Sequence, residues 1–270
     1  YAIRWQSITD AQFLSSILKS GIKVRYTTVP FEVDGATFET GTIVVNRADN
    51  RAMGDDFFAM METLIEGYQG AVFPISTGFV DKGKDLGSGT YEFIETPKVA
   101  LIGGESTYSN SFGQAWYFFE QDLDYPLTIL TIDNIGRVDL DEYNLLVFPE
   151  GNYRIGESLQ EKIEDWVSSG GRLILIGAAN SAFADKSGFA LKSAEEETEE
   201  DTMEDRLQAY GDSERNYVSS TTPGAIFSTQ VDTTHPLGYG IGQTYFTLKT
   251  GSRTYPYLEN GWNVSYINKT

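Results

Sequence analysis

The hydrophobic pattern between residues 97 and 184 alternates short apolar runs with amphipathic segments. The apolar runs predict four buried β-strands, at residues 97–104, 127–132, 145–148 and 172–176. Between them, apolar side chains at helical spacing predict the inward faces of two helices: Phe112, Ala115, Trp116, Phe119 and Leu123, then Leu159, Ile163, Trp166 and Val167. Strands that alternate with helices favour right-handed crossovers, so we predict a doubly wound α/β domain with a parallel sheet.

Local signals place the ends of these elements. Ser111, followed by Gln114 three residues later, predicts a capping box at the start of the first helix. In a doubly wound sheet, ligands bind beyond the carboxyl ends of the strands. We therefore expect any functional site at the loops around Gly104, Pro149 and Gly177.

Residues 1–94 predict a separate, smaller α/β unit with the element order β-α-β-β-α-β. Thr9 and Gln12 predict the start of its first helix, and Asp34 with Gly35 predicts a hairpin between two β-rich runs. The glycine-rich residues 82–89 fit either a linker between the units or a structured turn at their interface. The two units could pack face to face or lie loosely apart.

An acidic segment interrupts the second domain, which we place at residues 95–270. Eight carboxylates lie between Glu195 and Asp205. Because like charges repel, we interpret the segment at about residues 193–206 as a solvated insertion loop, in preference to a calcium site.

The C-terminal part of the chain is rich in aromatic residues. Strands are predicted at residues 225–231 and 245–248, and the rings of this region are Tyr239, Tyr245, Phe246, Tyr255, Tyr257, Trp262 and Tyr266. We expect most of these rings to pack against the sheet, since large rings dominate burial in domains of this size. The functional alternative is a stacking surface for sugar or peptide.

Composition excludes several classes of partner and site. The net charge of −19 argues against nucleic-acid and anionic-membrane partners, because both need clustered Lys and Arg. No apolar run reaches the length of a membrane span. The chain has no cysteine, so disulfides, thiolate metal sites and a cysteine nucleophile are excluded. The first residues already predict a strand, from which we expect a fragment of a longer protein.

Several short segments of the sequence resemble those of a known family. They are the turn Gly177-Ala178-Ala179-Asn180, Asp85-Leu86-Gly87-Ser88-Gly89, residues 97–110 with Tyr117-Phe118-Phe119-Glu120-Gln121, and Pro223-Gly224-Ala225-Ile226. With the strand and helix order, they resemble the class I glutamine amidotransferase-like region that follows the peptidase domain of bacterial M14-class zinc carboxypeptidases. The resemblance implies a flavodoxin-like sheet for residues 95–270 and covers the chain from about Tyr26 onward.

The resemblance also implies a lost active site. By the family pattern, a cysteine nucleophile would stand at Ala179, within the turn of Gly177, Ala178 and Asn180. An amidotransferase needs a thiolate at this position, a histidine that activates it and an acid that orients the histidine. Alanine supplies no nucleophile, so we expect the glutaminase activity of the fold to be absent.

The family's zinc chemistry is not expected in this chain either. A zinc site of the His₂Glu type needs two histidines, and the chain contains only His235. The resemblance therefore implies no cofactor here and a zinc ion in an upstream peptidase domain of the same polypeptide, in a secreted or periplasmic protein. We interpret His235 as a loop imidazole hydrogen-bonded to backbone, since it lacks a catalytic partner.

The sequence gives only weak signals for other chemistry at the strand ends. The candidate cleft residues are Gly104, Glu105, Ser106, Glu150 and His235. Glu105, Asp133 and Glu150 are expected near the strand ends, where gathered carboxylates could bind a cation or an amine. Residues 103–106 lack the full glycine spacing of a phosphate-binding loop, and the chain lacks the Gly-x-Ser-x-Gly elbow of serine hydrolases.

The sequence thus favours one functional hypothesis and leaves a second open. The first is a noncatalytic accessory region of a secreted zinc carboxypeptidase, which supports the peptidase domain or binds its substrate through a cleft at Gly104, Glu150 and Ala179. The alternative is a free-standing binding module for sugar or peptide that uses the C-terminal rings.

Overall fold

Three larger sheets and one hairpin organise the described residues, which in this computed structural model are 1–194, 211, 224–249, 251 and 253–267. The mixed α/β class expected from the sequence is confirmed. The acidic segment lies outside the described residues from position 195 onward. None of the helices in the described ranges combines the length and apolar character needed to cross a lipid bilayer.

The N-terminal unit is built on an antiparallel five-stranded sheet. Its elements are β1 (Ala2–Ile3), α1 (Ile8–Lys19), β2 (Arg25–Thr27), β3 (Phe31–Val33), β4 (Ala36–Phe38), β5 (Ile43–Val44), α2 (Asp56–Glu66), β6 (Val72–Phe73) and β7 (Tyr91–Phe93). The sheet order is β6-β1-β5-β2-β7. The predicted hairpin is confirmed, since β3 pairs with β4 through Asp34 (φ 53°) and Gly35 (φ 75°). Two positive φ angles match the twist of a tight hairpin turn.

Helix α1 begins two residues earlier than the sequence predicted. Its capping box uses Ser7 and Asp10: the Asp10 amide donates to the Ser7 hydroxyl, and the Asp10 carboxylate accepts the Ser7 amide at 2.7 Å. The prediction from Thr9 and Gln12 was wrong because the same polar spacing occurs twice in this stretch. Asp10 also accepts a hydrogen bond from Tyr68, just after α2, so the cap ties the two helices together.

Residues 82–89 form a structured loop within the N-terminal unit, not a linker. The Glu32 amide donates to the Lys82 carbonyl at 2.9 Å, beside the β3–β4 hairpin. Leu86 is buried, and its carbonyl accepts from the Asn46 side chain at 3.2 Å. The loop leads into β7, which completes the first sheet.

The second unit contains the predicted parallel sheet. Its elements are β8 (Val99–Gly103), α3 (Ser109–Tyr117) with a π-helical turn at Phe118–Asp122, β9 (Leu127–Thr131), α4 (Ile132–Ile135), β10 (Leu145–Phe148), α5 (Glu157–Ser168) and β11 (Arg172–Leu175). The strands pair in parallel in the order β11-β10-β8-β9. All four predicted strands are confirmed, with small differences at their ends.

The C-terminal part forms a small antiparallel sheet. Its strands are β12 (Ile226–Val231), β13 (Thr244–Leu248) and β14 (Ser265–Tyr266), in the order β13-β12-β14. The first two confirm the strands predicted near residues 225–231 and 245–248. A 3₁₀ turn at Pro236–Gly238 lies between them.

A continuous core joins the first two units. Side chains alternate along β8, so Val99 and Leu101 lie in one core while Ala100 and Ile102 lie in another. The first of these, the shared core, also contains buried residues from the N-terminal helices: Phe13, Ile17, Leu18, Phe57 and Met61. The two units therefore pack against each other, which settles the alternative left open above. The division of the chain at residue 94 stays a prediction.

Polar contacts reinforce this packing. The buried Ser15 hydroxyl of α1 donates to the carbonyl of Leu123 at 2.6 Å, and Lys19 forms an ion pair with Asp124. Since Leu123 and Asp124 connect α3 to β9, these contacts fix α1 against the second unit.

Loss of a ring from the shared core should lower stability strongly. We expect Phe57→Ala to reduce the free energy of unfolding by about 3–5 kcal/mol, because Phe57 is fully buried and its ring would leave a cavity. Phe79→Ala is the matched control, since Phe79 is 76% exposed, and should change it by less than about 0.5 kcal/mol. Urea denaturation followed by tryptophan fluorescence measures both values. Equal losses in the two variants would contradict the shared core.

Candidate functional site

The carboxyl ends of three parallel strands meet at one edge of the sheet. Strand β8 is followed by Gly104 (φ 99°), β10 by Pro149 and Glu150, and β11 by Gly177 (φ 55°). This is the edge at which doubly wound sheets bind ligands.

Main-chain hydrogen bonds join the first two of these loops. The Asn152 amide donates to the Ser106 carbonyl at 2.8 Å, and the Tyr108 amide donates to the Glu150 carbonyl at 2.9 Å. Thr107 and Gly151 form an antiparallel bridge between these contacts. A side chain on Gly151 would lie 2.3 Å from the Ser106 carbonyl oxygen, so the close approach requires glycine. The backbone of Glu150 is thereby held in place.

Ser111 completes this arrangement and does not cap its helix. Helix α3 begins at Ser109, with Tyr108 in the cap position and no side-chain cap. The Ser111 hydroxyl instead accepts a hydrogen bond from the Glu150 amide at 2.8 Å. The predicted capping box with Gln114 was therefore wrong, because a tertiary contact uses the serine.

The buried hydroxyl groups of Thr107 and Tyr153 hold the same loops in place. The Tyr153 hydroxyl donates to the Pro149 carbonyl at 2.8 Å and lies 3.1 Å from the Thr107 hydroxyl. Burial raises the pKa of Tyr153, so the phenol stays protonated near neutral pH. The pair acts as structural support for the loop edge.

The turn after β11 places glycine, not Ala179, opposite Glu150. A Cβ atom added to Gly177 would lie 3.0 Å from the carboxyl carbon of Glu150. Ala179 is fully buried in the second core, and the Asn180 side chain donates to the Gly177 carbonyl at 3.0 Å. Gly177, Ala178 and Asn180 border the cavity at this edge, whereas Ala179 does not. The structure thus brings Gly177 and Glu150 together and leaves Ala179 beneath them.

The other predicted cleft residues lie outside this cavity. Gly104 and Glu105 are exposed at the end of β8, and Ser106 contributes its carbonyl to the loop pairing. His235 caps the turn at Pro236–Gly238, where its Nδ1 accepts from the Leu237 amide at 3.2 Å. The interpretation of His235 as a loop imidazole hydrogen-bonded to backbone is confirmed.

The predicted gathering of Glu105, Asp133 and Glu150 is not found. In the part of the chain that the structure describes, no group of three Asp, Glu or His side chains could hold a metal ion. Glu105 and Asp133 are exposed to solvent, whereas Glu150 is half-buried against the turn at Gly177.

The cavity at this edge is an open groove of about 990 Å³. One wall is the strand-end turn, and the other is the C-terminal sheet with the segment that follows it. The aromatic residues that line it are Phe227, Tyr245, Tyr255, Tyr257, Trp262 and Tyr266. Its charged lining residues within the described ranges are Glu150, Lys249 and Arg253. We call this cavity the aromatic groove.

The rings of the aromatic groove are poorly covered. Trp262 is 75% exposed, Tyr257 59% and Tyr245 55%. The expectation that most C-terminal rings pack against the sheet was wrong. None of the seven rings for which the sequence predicted this packing is fully buried. The alternative, a surface on which a ligand could stack, agrees with this exposure.

Two hydrogen bonds hold the groove in shape. The Tyr255 hydroxyl lies 3.1 Å from the Ser181 hydroxyl, which joins the C-terminal segment to the turn after β11. The Tyr257 hydroxyl donates to the Ile267 carbonyl at 2.9 Å, and its ring meets the Tyr266 ring edge-on at 5.7 Å. Sequence reasoning missed the role of Ser181. The clustering of tyrosines in the C-terminal segment was the one available signal for the groove.

Comparison with known proteins adds little. No family model and no curated protein matches the chain. A solved structure, described as a ThuA-like protein from Parabacteroides merdae ATCC 43184, has 15% identity and a TM-score of 0.37. The match covers 56% of this chain and 60% of that protein, which is less than two thirds of its length. A likeness at this level carries no functional inference.

The turn at Gly177 should not tolerate a side chain. We expect Gly177→Ala to lower the free energy of unfolding by about 1–2 kcal/mol, because an L-residue is strained at φ 55° and the Glu150 side chain must shift. Gly89→Ala is the control: its backbone φ is not positive, and nothing lies within 4 Å of its added Cβ. Urea denaturation compares the two variants, and equal stability would contradict this account of the turn.

Proposed function

We propose that this chain is a noncatalytic accessory region of a secreted zinc carboxypeptidase-like protein and that it binds peptide substrate in the aromatic groove. One observation carries the proposal: exposed rings line a groove at the carboxyl edge of the parallel sheet, and the turn that borders it offers Gly177, Ala178 and Asn180, none of which supplies a thiolate. Binding without chemistry is the function that these residues support.

The strand order supports the finer fold assignment within this proposal. Numbered along the chain, the four parallel strands lie in the order 2-1-3-4. The flavodoxin-like order is 2-1-3-4-5, so the observed sheet matches its first four strands. A class I glutamine amidotransferase-like domain without cysteine could keep this scaffold, but it could not form a thioester with glutamine.

The charges of the groove favour peptide over neutral sugar. Lys249 and Arg253 line it in a protein with a net charge of −19. A peptide offers apolar side chains to the rings and a terminal carboxylate to a guanidinium, which pairs well with carboxylates. A carboxypeptidase substrate carries that carboxylate. The zinc ion belongs to the proposed upstream peptidase domain, the partner in the same polypeptide.

A free-standing sugar- or peptide-binding module is the second candidate function. The exposed rings of Trp262 and Tyr257 favour this module as much as they favour a peptide-binding accessory region, since sugars also stack on aromatic faces. The two candidates differ in the ligand and in the presence of an adjoining peptidase domain.

Trp262 should stack on a side chain of a bound peptide, and Arg253 should pair with the C-terminal carboxylate of that peptide. We expect the peptide Ala-Phe-Phe-Ala to bind, and Trp262→Ala to weaken binding by about tenfold, since a stacked ring contributes more than about 1 kcal/mol at an interface centre. Arg253→Gln should abolish the preference for the free acid over the C-terminal amide.

Isothermal titration calorimetry on the purified chain measures these affinities. Tyr117→Ala is the control, because Tyr117 is also exposed, at 55%, and lies on α3 outside the groove. Binding of cellohexaose in place of the peptide would favour the sugar-binding module. Binding that is unchanged in Trp262→Ala would contradict the groove assignment.

The chain itself should turn over neither glutamine nor peptide. We expect ammonia release from glutamine and amino-acid release from Ala-Phe-Phe-Ala to stay at the level of buffer, because the chain has no cysteine and a single histidine. Coupled ammonia detection and chromatography of the peptide measure the two reactions. Turnover of either substrate above buffer would overturn the noncatalytic assignment.

A further inference from the structure

A second cavity lies at the opposite edge of the parallel sheet from the aromatic groove. Its volume is about 450 Å³, within the size range of small-molecule sites. Pro97, Leu145 and Arg172, at the amino ends of β8, β10 and β11, form one side. The N-terminal sheet and the loop around Tyr239 form the others. We call this cavity the amino-edge cavity.

Close backbone contacts hold the Tyr239 loop against the N-terminal unit. A side chain on Gly41 would lie 2.7 Å from the Cβ atom of Tyr239. A side chain on Gly240 would lie 2.5 Å from the carbonyl oxygen of Trp5. Both glycines have positive φ, so each position favours glycine for conformation as well as space. The side of the amino-edge cavity formed by the Tyr239 loop is therefore held in place.

Four aromatic side chains line the cavity: Trp5, Tyr26, Phe93 and Tyr239. The rings of Tyr26 and Tyr239 are 6.3 Å apart and inclined at 55°. Phe93 already carries the Arg25 guanidinium 3.7 Å from its ring centre. Faces of aromatic rings attract cations, and the attraction grows when water is excluded. The ring lining thus favours a positively charged ligand.

The carboxylates of the cavity leave one negative charge without a cation. Arg172 pairs with Glu95 at 2.8 Å, so these two charges offset each other. Glu92 accepts a hydrogen bond from the Tyr26 hydroxyl and forms no ion pair with the lysines and arginines of the described ranges. Burial raises the pKa of Tyr26 to about 12, so the phenol remains a neutral donor to Glu92.

We propose that the amino-edge cavity binds a small quaternary-ammonium cation. Glu92 supplies the opposite charge, the rings of Trp5, Tyr26 and Tyr239 contact the ammonium methyl groups, and apolar side chains such as Ile43 and Leu145 cover the rest. A quaternary ammonium suits this lining because its methyl groups need no hydrogen-bond acceptors. The net negative charge of the protein raises the local concentration of such cations.

Calorimetric titration with choline chloride at low salt tests the proposal. We expect choline to bind saturably with one site per chain, and its uncharged carbon isostere 3,3-dimethylbutan-1-ol to bind at least about tenfold more weakly. Saturable binding is sought up to about 50 mM choline, which is near the weak limit that calorimetry resolves. No binding in that range, or equal binding of the isostere, overturns the proposal.

Variants locate the site. Glu92→Gln should weaken choline binding by about tenfold, because it removes the uncompensated charge. Glu62→Gln is the matched control, since Glu62 is an exposed carboxylate on α2 outside the cavity. Tyr239→Leu should weaken binding, while Tyr239→Phe keeps the ring and should restore it. Full affinity in Glu92→Gln overturns the proposal even if choline binds.

The result is independent of the peptide groove. Tyr257→Ala should leave choline affinity unchanged, because Tyr257 lines the aromatic groove and not the amino-edge cavity. A loss of choline binding in that variant would place the ion in the aromatic groove and overturn the assignment to the amino edge.

Discussion

The rest of the structure depends on the cover over both faces of strand β8, at the centre of the parallel sheet. Every residue of β8 is buried, and its alternate side chains enter two different cores. Helix α5 and the turn after β11 cover one face, whereas α3 and the N-terminal helices cover the other. Parallel sheets lacking such cover are rare, since their strands are apolar on both sides. The N-terminal unit is therefore part of what makes the second unit a stable fold.

The apolar side chains that remain exposed lie away from this central strand. Strand β8 is fully buried, whereas several apolar residues of the small C-terminal sheet are exposed. Ile226 is 71% exposed, Phe246 68% and Leu248 57%. Exposed apolar area of this kind marks interaction surfaces more often than ordinary surface. The exposed apolar side chains of this sheet are thus accessible to a ligand.

The sequence predicted the parallel strands well because their pattern is local and strong. The apolar run at residues 145–148 is short and is followed by Pro149, which favours a buried strand over a helix, and its bounds were predicted to the residue. Caps were harder. Polar residues at cap spacing recur within two positions of each other, and Ser111 is taken by a contact with Glu150, which is distant in sequence. Tertiary hydrogen bonds of this kind leave no local trace.

The sequence indicated the edge and the rings of the aromatic groove, but the cover over those rings and the whole amino-edge cavity could not be predicted from it. Burial of an aromatic ring depends on what covers it, and composition shows the rings but not the cover. The prediction that the C-terminal rings pack against the sheet was wrong because the sequence does not show what covers a ring. The amino-edge cavity joins Trp5 to Tyr239, from opposite ends of the chain. Contacts between such distant segments follow from the packing of whole units, which periodicity does not reveal.

The geometry around Gly177 determines which residues of the strand-end turn reach the groove. A side chain there would meet the Glu150 carboxyl carbon at 3.0 Å, and the backbone of Glu150 is fixed by Ser111 and Tyr108. Ala179, at which the resemblance would place a nucleophile, is fully buried in the second core instead. The residues of this turn that border the aromatic groove are therefore Gly177, Ala178 and Asn180.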